Sequence, residues 1–238
     1  MLQPNQIERA LVITAHPDDV DFSSAGVIAH ITDAGGVVTY CLVTDGQAGG
    51  FDQTIERDVM AATRREEQTK AAAEVGVSEL IFLGHPDGSV EFTLDLRRDL
   101  TRVIRQVRPQ VVIGHAPMIV ISSVYGSHAD HVATGQATWA AVYPDAGNPF
   151  AFPELLATGC EPWSVSELWV MNVPDANETV DITTQIDRKI RALRCHVSQH
   201  RDPDGMEERV RTWFRSNASL GGLPEGTYAE RFFVASTG

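Results

Sequence analysis

Short apolar runs and longer segments of helical spacing alternate through the first half of the chain. Ala10–Ala15 (ALVITA) is continuously apolar, the pattern of a strand buried on both faces. The spacing predicts a helix over Phe22–Ala34, stopped by Gly35-Gly36, and a second strand over Val37–Val43. An Ala-rich helix with one charged face is expected over Met60–Val75, ended by Gly76. A third strand (Glu79–Leu83), a helix (Leu94–Val107, stopped by Pro109) and a fourth strand (Gln110–Gly114) complete the rhythm.

This β-α order predicts an α/β fold, a parallel sheet with helices on both faces. Right-handed crossovers put all four strand ends on one edge, where ligands of such sheets sit. The last third is less regular. Residues 143–163 read as an ordered excursion rich in Pro, Gly and Phe, able to form a lid or a subunit contact. A strand is expected over Val165–Val173, helices over Thr183–Ser198 and Met206–Ser216, a loop over Gly221–Thr227 and a last strand over Phe232–Ala235. With no repeat or linker, residues 1–238 read as one domain with a C-terminal elaboration.

Composition narrows the class. The 238 residues carry 19 Lys and Arg against 32 Asp and Glu, a formal charge of −13, which argues against nucleic-acid binding. No apolar run approaches the roughly 20 residues of a membrane span. The first residues lack the basic-then-apolar pattern of a secretory leader. Cys41, Cys160 and Cys195 are widely spaced and read as reduced thiols, so a cytoplasmic protein is expected.

The loops after the four strands hold the candidate chemistry. They read His16-Pro17-Asp18-Asp19 with Asp21 close behind, Thr44 to Gly50, Gly84-His85-Pro86-Asp87-Gly88, and His115 followed by Ser127-His128-Ala129-Asp130-His131. Imidazoles and carboxylates are ligands for a divalent metal such as zinc. His16, Asp19 and one histidine of the 128–131 segment would supply three ligands and leave a position for water. The acids 18, 19 and 21 repel one another unless a cation lies between them. The turn after the first strand lacks the GxGxxG of a dinucleotide site and puts carboxylates where a pyrophosphate would lie. Arg64 and Arg65, beside Glu66 and Glu67, suit a solvated helix face as well as a ligand contact. His196 and Gln199 suit helix packing better than chemistry. His85 and the Asp45–Gly50 turn are weaker cleft candidates.

These residues resemble the LmbE-like (PIG-L) family of metal-dependent N-deacetylases. The resemblance rests on Ala15–Asp19 (AHPDD), Thr44–Gly50, Arg64 with Glu67, Ala71 and Gly76-Val77, Phe82–Gly88, His128–His131, His196–Gln199 and Tyr228–Glu230, in that order along most of the chain. Val20 stands where many members have Glu, Ala129 replaces the proline of HPDH, and Gly126 falls where some members carry a tyrosine, with Tyr125 adjacent as the candidate to assist an oxyanion.

The resemblance implies a Rossmann-like three-layer sandwich with a mainly parallel sheet. It implies His16, Asp19 and His131 as ligands of Zn²⁺, with Fe²⁺ as another option. It implies Asp18 as general base and then acid, and a protonated His128 facing the oxyanion. Asp130 would hold His128, and Arg64 and Asp87 would meet the substrate. The expected reaction removes an acetyl or acyl group from a small N-acylated molecule, an N-acetylglucosaminyl-type conjugate in the leading reading. An amidase of a thiol-sugar conjugate, a metal phosphoesterase and a catalytically silent metal-binding protein stay open, as does a homo-oligomer.

Overall fold

The computed structural model describes residues 1–121 and 124–237, with the side chain of Tyr125 outside that description. Its sheet comprises β1 (Arg9–Thr14), β2 (Val37–Thr44), β3 (Glu79–His85), β4 (Val111–Gly114), β5 (Glu167–Met171), β6 (Glu178–Asp181) and β7 (Ala229–Ser236). The helices are α1 (Asp19–Ser23), α2 (Ala25–Asp33), α3 (Arg57–Glu74), α4 (Leu94–Val107), α5 (Ala129–Ala140), α6 (Pro153–Leu156), α7 (Ile186–Arg194) and α8 (Pro203–Leu220). Strand order is β3-β2-β1-β4-β5-β7-β6. The first five strands run parallel, and β7 runs antiparallel to both neighbours, so the sheet is mainly parallel as expected.

The unbroken apolar run of β1 is explained by two cores. Ala10 and Val12 pack toward α2, α3, α7 and α8, whereas Leu11 and Ile13 pack toward α4 and α5. Neighbouring residues of β1 therefore face opposite helical layers, so Ala10 to Ile13 are all apolar. The chain order reverses direction between β1 and β4, which opens the crevice expected at such a switch point.

Several boundaries differ from the periodicity. The helix expected over Phe22–Ala34 starts earlier, at Asp19, and breaks at Ser24, whose φ of −144° and ψ of 6° leave the helical region. The helix expected over Thr183–Ser198 is shorter, because a 3₁₀ turn takes over at Val197–Gln199. α5 and β6 were outside the sequence expectation: α5 is rich in Ala, Thr and Gly with little charge contrast, and β6 has only four residues. Gly135 lets α5 approach the end of β4, since a Cβ there would lie 2.4 Å from the Ala116 carbonyl oxygen.

The 143–163 excursion is pinned to α4. Arg105 donates to the carbonyls of Asp145, Ala146, Asn148 and Ala151, and Arg97 forms two bonds to the Asp145 carboxylate. None of its residues lines the cleft that holds Asp18, Asp19 and His131. Among the described residues no helix is long and apolar enough to cross a membrane.

Two buried charge pairs tie the C-terminal third to the N-terminal helices. Lys189 of α7 donates to Glu230 of β7 (2.8 Å) and to the Phe22 carbonyl, and both charged side chains are fully buried. The Glu230 carboxylate also accepts the Gly26 and Val27 amides at the start of α2. His196 lies past α7 rather than on it, and its Nε2 is 2.8 Å from Asp21 Oδ2, again with both side chains buried. It therefore makes a buried polar contact where helix packing was expected.

Removing one member of a buried, hydrogen-bonded pair leaves an uncompensated charge. Lys189→Ala should lower the unfolding free energy by about 3–5 kcal/mol in denaturant titrations. For His196, burial opposes charge but the Asp21 carboxylate outweighs it and raises the imidazole above its ordinary 6.5. A raised value in the folded state stabilises fully below 6.5, and the gain is lost as pH rises through the folded value. The stability difference between the parent protein and His196→Gln should therefore shrink on going from about pH 5 to about pH 9, measured by denaturant unfolding.

Candidate metal centre

The end of β1 turns sharply into α1. Asp18 stands at φ 88°, ψ −30°, a left-handed conformation unusual for a residue with a Cβ. This turn sends His16 and Asp19 to the same point. His16 Nδ1 is 3.4 Å from Asp19 Oδ2, His131 Nε2 is 3.1 Å from Asp19 Oδ1, and the two imidazole nitrogens are 3.2 Å apart. Ligands held about 2.0–2.1 Å from a tetrahedral ion lie roughly 3.4 Å from one another, and the two imidazole nitrogens and the two Asp19 oxygens are spaced on that scale; among the described residues His16, His128 and His131, and Asp19, His115 and His131, also form groups able to hold a metal ion.

The other side of His16 supports that fit. Its Nε2 lies 3.1 Å from Asp130 Oδ2 and 3.1 Å from Asp87 Oδ1. Carboxylates on Nε2 place the ring proton there and leave the Nδ1 lone pair facing Asp19 and His131. Burial opposes a charged His16, but Asp130, Asp19 and Asp87 outweigh it and push the imidazole up to about 12. The cluster thus calls for a positive charge at this point.

Two expected roles are corrected. Asp130 was to hold His128; its carboxylate instead backs His16 and accepts the Gly88 and Val90 amides. It is the Asp130 amide that meets His128, donating to Nδ1 at 3.2 Å. Asp87 was to meet substrate; it is held by His16 and by the Ala48 amide.

Arg64 is also relocated. It is buried, and it donates to the Pro17 and Gly46 carbonyls and to Asp18 Oδ2 at 3.1 Å. Its spacing among charged residues suggested a solvated face, but it folds back under the first loop because Gly46 leaves room for the guanidinium. Arg65 takes the surface position and forms two bonds to Asp45. His85 turns away toward Asp99 on α4.

Asp18 lines the cleft with Asp19 and His131. Burial pushes its carboxyl up, Arg64 pulls it down and Asp19 raises it again, to about 6. Its amide donates to Gln68 Oε1 (2.8 Å), and Gln68 Nε2 donates to Asp21 (2.8 Å). Burial favours a neutral Asp19, but His131 and His115 outweigh it and hold the carboxylate well below its ordinary range. His128 is exposed, its ring centroid 5.1 Å from that of His16 and 5.2 Å from that of His131.

His115 and Gln68 were not assigned roles from sequence. His115 stacks on His131 (centroids 4.2 Å apart, planes 11°), and burial lowers it to about 4. Its Nε2 lies 3.1 Å from the Ala15 amide nitrogen and 3.2 Å from Asp19 Oδ2, so it stands beside Asp19 and His131 in a group able to hold a metal ion. It also supports His131 and the end of β1. The only signal was its position directly after β4. Gln68 carried none, since a glutamine within a charged helix looks solvated. Tyr125, the candidate for assisting an oxyanion, falls outside the described side chains.

The family model described as GlcNAc-PI de-N-acetylase (PIG-L) matches residues 11–142. The chain is 32% identical over 227 residues to a diacetylchitobiose deacetylase of Thermococcus kodakarensis, covering 95% of this chain and 82% of that protein. It is 28% identical to a probable N-acetyl-alpha-D-glucosaminyl L-malate deacetylase of Bacillus anthracis, over 79% of this chain and 80% of the relative. The solved N,N'-diacetylchitobiose deacetylase of Pyrococcus horikoshii superposes with a TM-score of 0.90 at 29% identity, covering 98% of this chain and 86% of that one. The relatives are deacetylases of N-acetylglucosamine-type compounds, and the chain belongs to the PIG-L (LmbE-like) family of N-deacetylases.

Proposed function

We propose that this chain is a zinc-dependent N-deacetylase of a small N-acetylglucosaminyl-type conjugate. The observation that carries the reading is the two-sided setting of His16, with carboxylates on Nε2 and with Nδ1 converging on Asp19 and His131 beside Asp18. A ligand set alone would serve mere binding. A carboxyl held near 6 at the same cleft adds a group that can take and return a proton near neutral pH.

His16, Asp19 and His131 would hold the ion, with Fe²⁺ as another occupant of the same donors. When bound, such an ion supplies a Lewis acid and lowers the pKa of a coordinated water toward about 7. Asp18 accepts a proton from the attacking water and returns it to the leaving nitrogen, so water and the N-acetyl compound become acetate and a free amine. Arg64 and the Gln68–Asp18 amide bond hold that carboxyl in place. His128, whose ring lies beside those of His16 and His131, stabilises the charge that develops on the amide oxygen. Three free cysteines, two of them buried, support a cytoplasmic setting. Exposed Tyr143 and Phe150 support self-association through the excursion.

Asp18→Asn should keep its metal by elemental analysis and lose about 10²–10⁴-fold in kcat for acetate release. Turnover near the parent rate would remove Asp18 from this role. Asp87→Asn/Asp130→Asn should weaken metal affinity by about 10–100-fold in competition with a chelator, because Nε2 of His16 loses both carboxylate partners. An unchanged affinity would mean that His16 is not a ligand.

A further inference from the structure

The cleft onto which Asp18, Asp19 and His131 open has a volume of about 760 Å³. Its opposite wall is α8 with the neighbouring β7, and there the charge changes sign. Arg209 and Arg231 line it, together with Trp213, Asn217 and Asn172. The carboxylates lining this cleft are Asp18 and Asp19, both at the His131 end.

Among the described residues neither Arg209 nor Arg231 has a carboxylate within ion-pair distance. Their neighbour Arg211, by contrast, is bound by Asp187 and Glu207. Arg231 donates one hydrogen bond, to the Ala176 carbonyl, and its buried Nε has no partner. Arg209 is exposed on α8. In a chain of net charge −13, these two guanidinium groups, neither paired with a carboxylate among the described residues, put positive charge on one cleft wall. Guanidinium forks match carboxylate and phosphate oxygens. Trp213 offers an apolar ring face on the same wall.

We infer that the substrate is an N-acyl amino sugar whose other end carries an anionic group, a carboxylate or a phosphate, bound by Arg209 and Arg231. The inference rests on the deacetylase reading and narrows it, because diacetylchitobiose is uncharged whereas a malate conjugate is anionic.

The test uses the metal-loaded protein and matched N-acetylglucosaminides carrying a methyl, a carboxylate-bearing or a phosphate-bearing aglycone. The parent enzyme should show kcat/KM about tenfold or more higher for an anionic aglycone than for the methyl one. In Arg209→Gln/Arg231→Gln that ratio should fall to within about twofold of one, whereas Arg231→Lys should retain part of it. Comparing the carboxylate and phosphate arms identifies the anion. Calorimetry with the corresponding deacetylated glucosaminides provides a second reading that needs no turnover. Acetate release with no preference among the three aglycones overturns the inference and leaves the deacetylase reading standing. If no glycoside releases acetate, the deacetylase reading fails, and calorimetry alone decides whether the anion is bound through the two arginines.

Discussion

The site depends on one crowded imidazole. His16 lies within 3.4 Å of Asp19, Asp87 and Asp130, carboxylates that come from the start of α1, the loop after β3 and the start of α5. That many negative charges stay together only around a positive charge. The same contacts divide the labour between the ring nitrogens: Nε2 is committed to the loop after β3 and to α5, and Nδ1 faces the cleft. Because Asp130 also accepts the Gly88 and Val90 amides, the imidazole is fixed to backbone rather than to mobile side chains. Ligand geometry is thereby set by the packing of the sheet edge.

That edge is assembled by topology. β1 lies between β2 and β4, so the loop after β1 can be reached from both sides. From the β4 side, His115 accepts the Ala15 amide and stacks on His131. From the β2 side, Thr44 Oγ1 donates to the Ala15 carbonyl, and Arg64 donates to Gly46 and Pro17. The backbone around His16 has few unpaired polar groups left, which is the condition for a loop buried at a strand end.

What the sequence made legible follows from this. The first four parallel strands were readable because each is short, apolar and separated from the next by a helix with its own stop. The residues that converge on the cleft were readable because they follow strands directly. Roles were harder, since a role depends on which neighbour a side chain meets. Asp87 and Arg64 sit at matching positions and in the same region, yet both are spent on other protein groups. Spacing cannot distinguish a carboxylate facing substrate from one facing an imidazole. Asp130 illustrates the point: two residues from His128 in sequence, its carboxylate bonds a histidine 114 positions away. Gln68 and the Asp21–His196 pair escaped for the same reason, their contacts being with residues 47 to 175 positions distant.

Asp18 carries the strain of the arrangement. A non-glycine residue at φ 88° costs on the order of 1–3 kcal/mol and persists only where its surroundings over-determine it. Here they do. Gln68 holds its amide, Arg64 holds its carboxylate and the preceding carbonyl, and the Asp18 carbonyl accepts the amides of Asp21 and Phe22 to start α1. Gln68 is in turn held by Asp21, and Asp21 by His196. A relaxed turn would point residues 18 and 19 to opposite sides. The strained turn directs both toward one cleft while giving them different surroundings: Asp19 among imidazoles, Asp18 against a guanidinium with burial still prevailing. Two adjacent carboxyls thereby acquire opposite proton affinities, one suited to stay ionised and the other to exchange a proton. In the proposed mechanism, this separation is what would let a two-residue acidic sequence hold an ion and also serve as base.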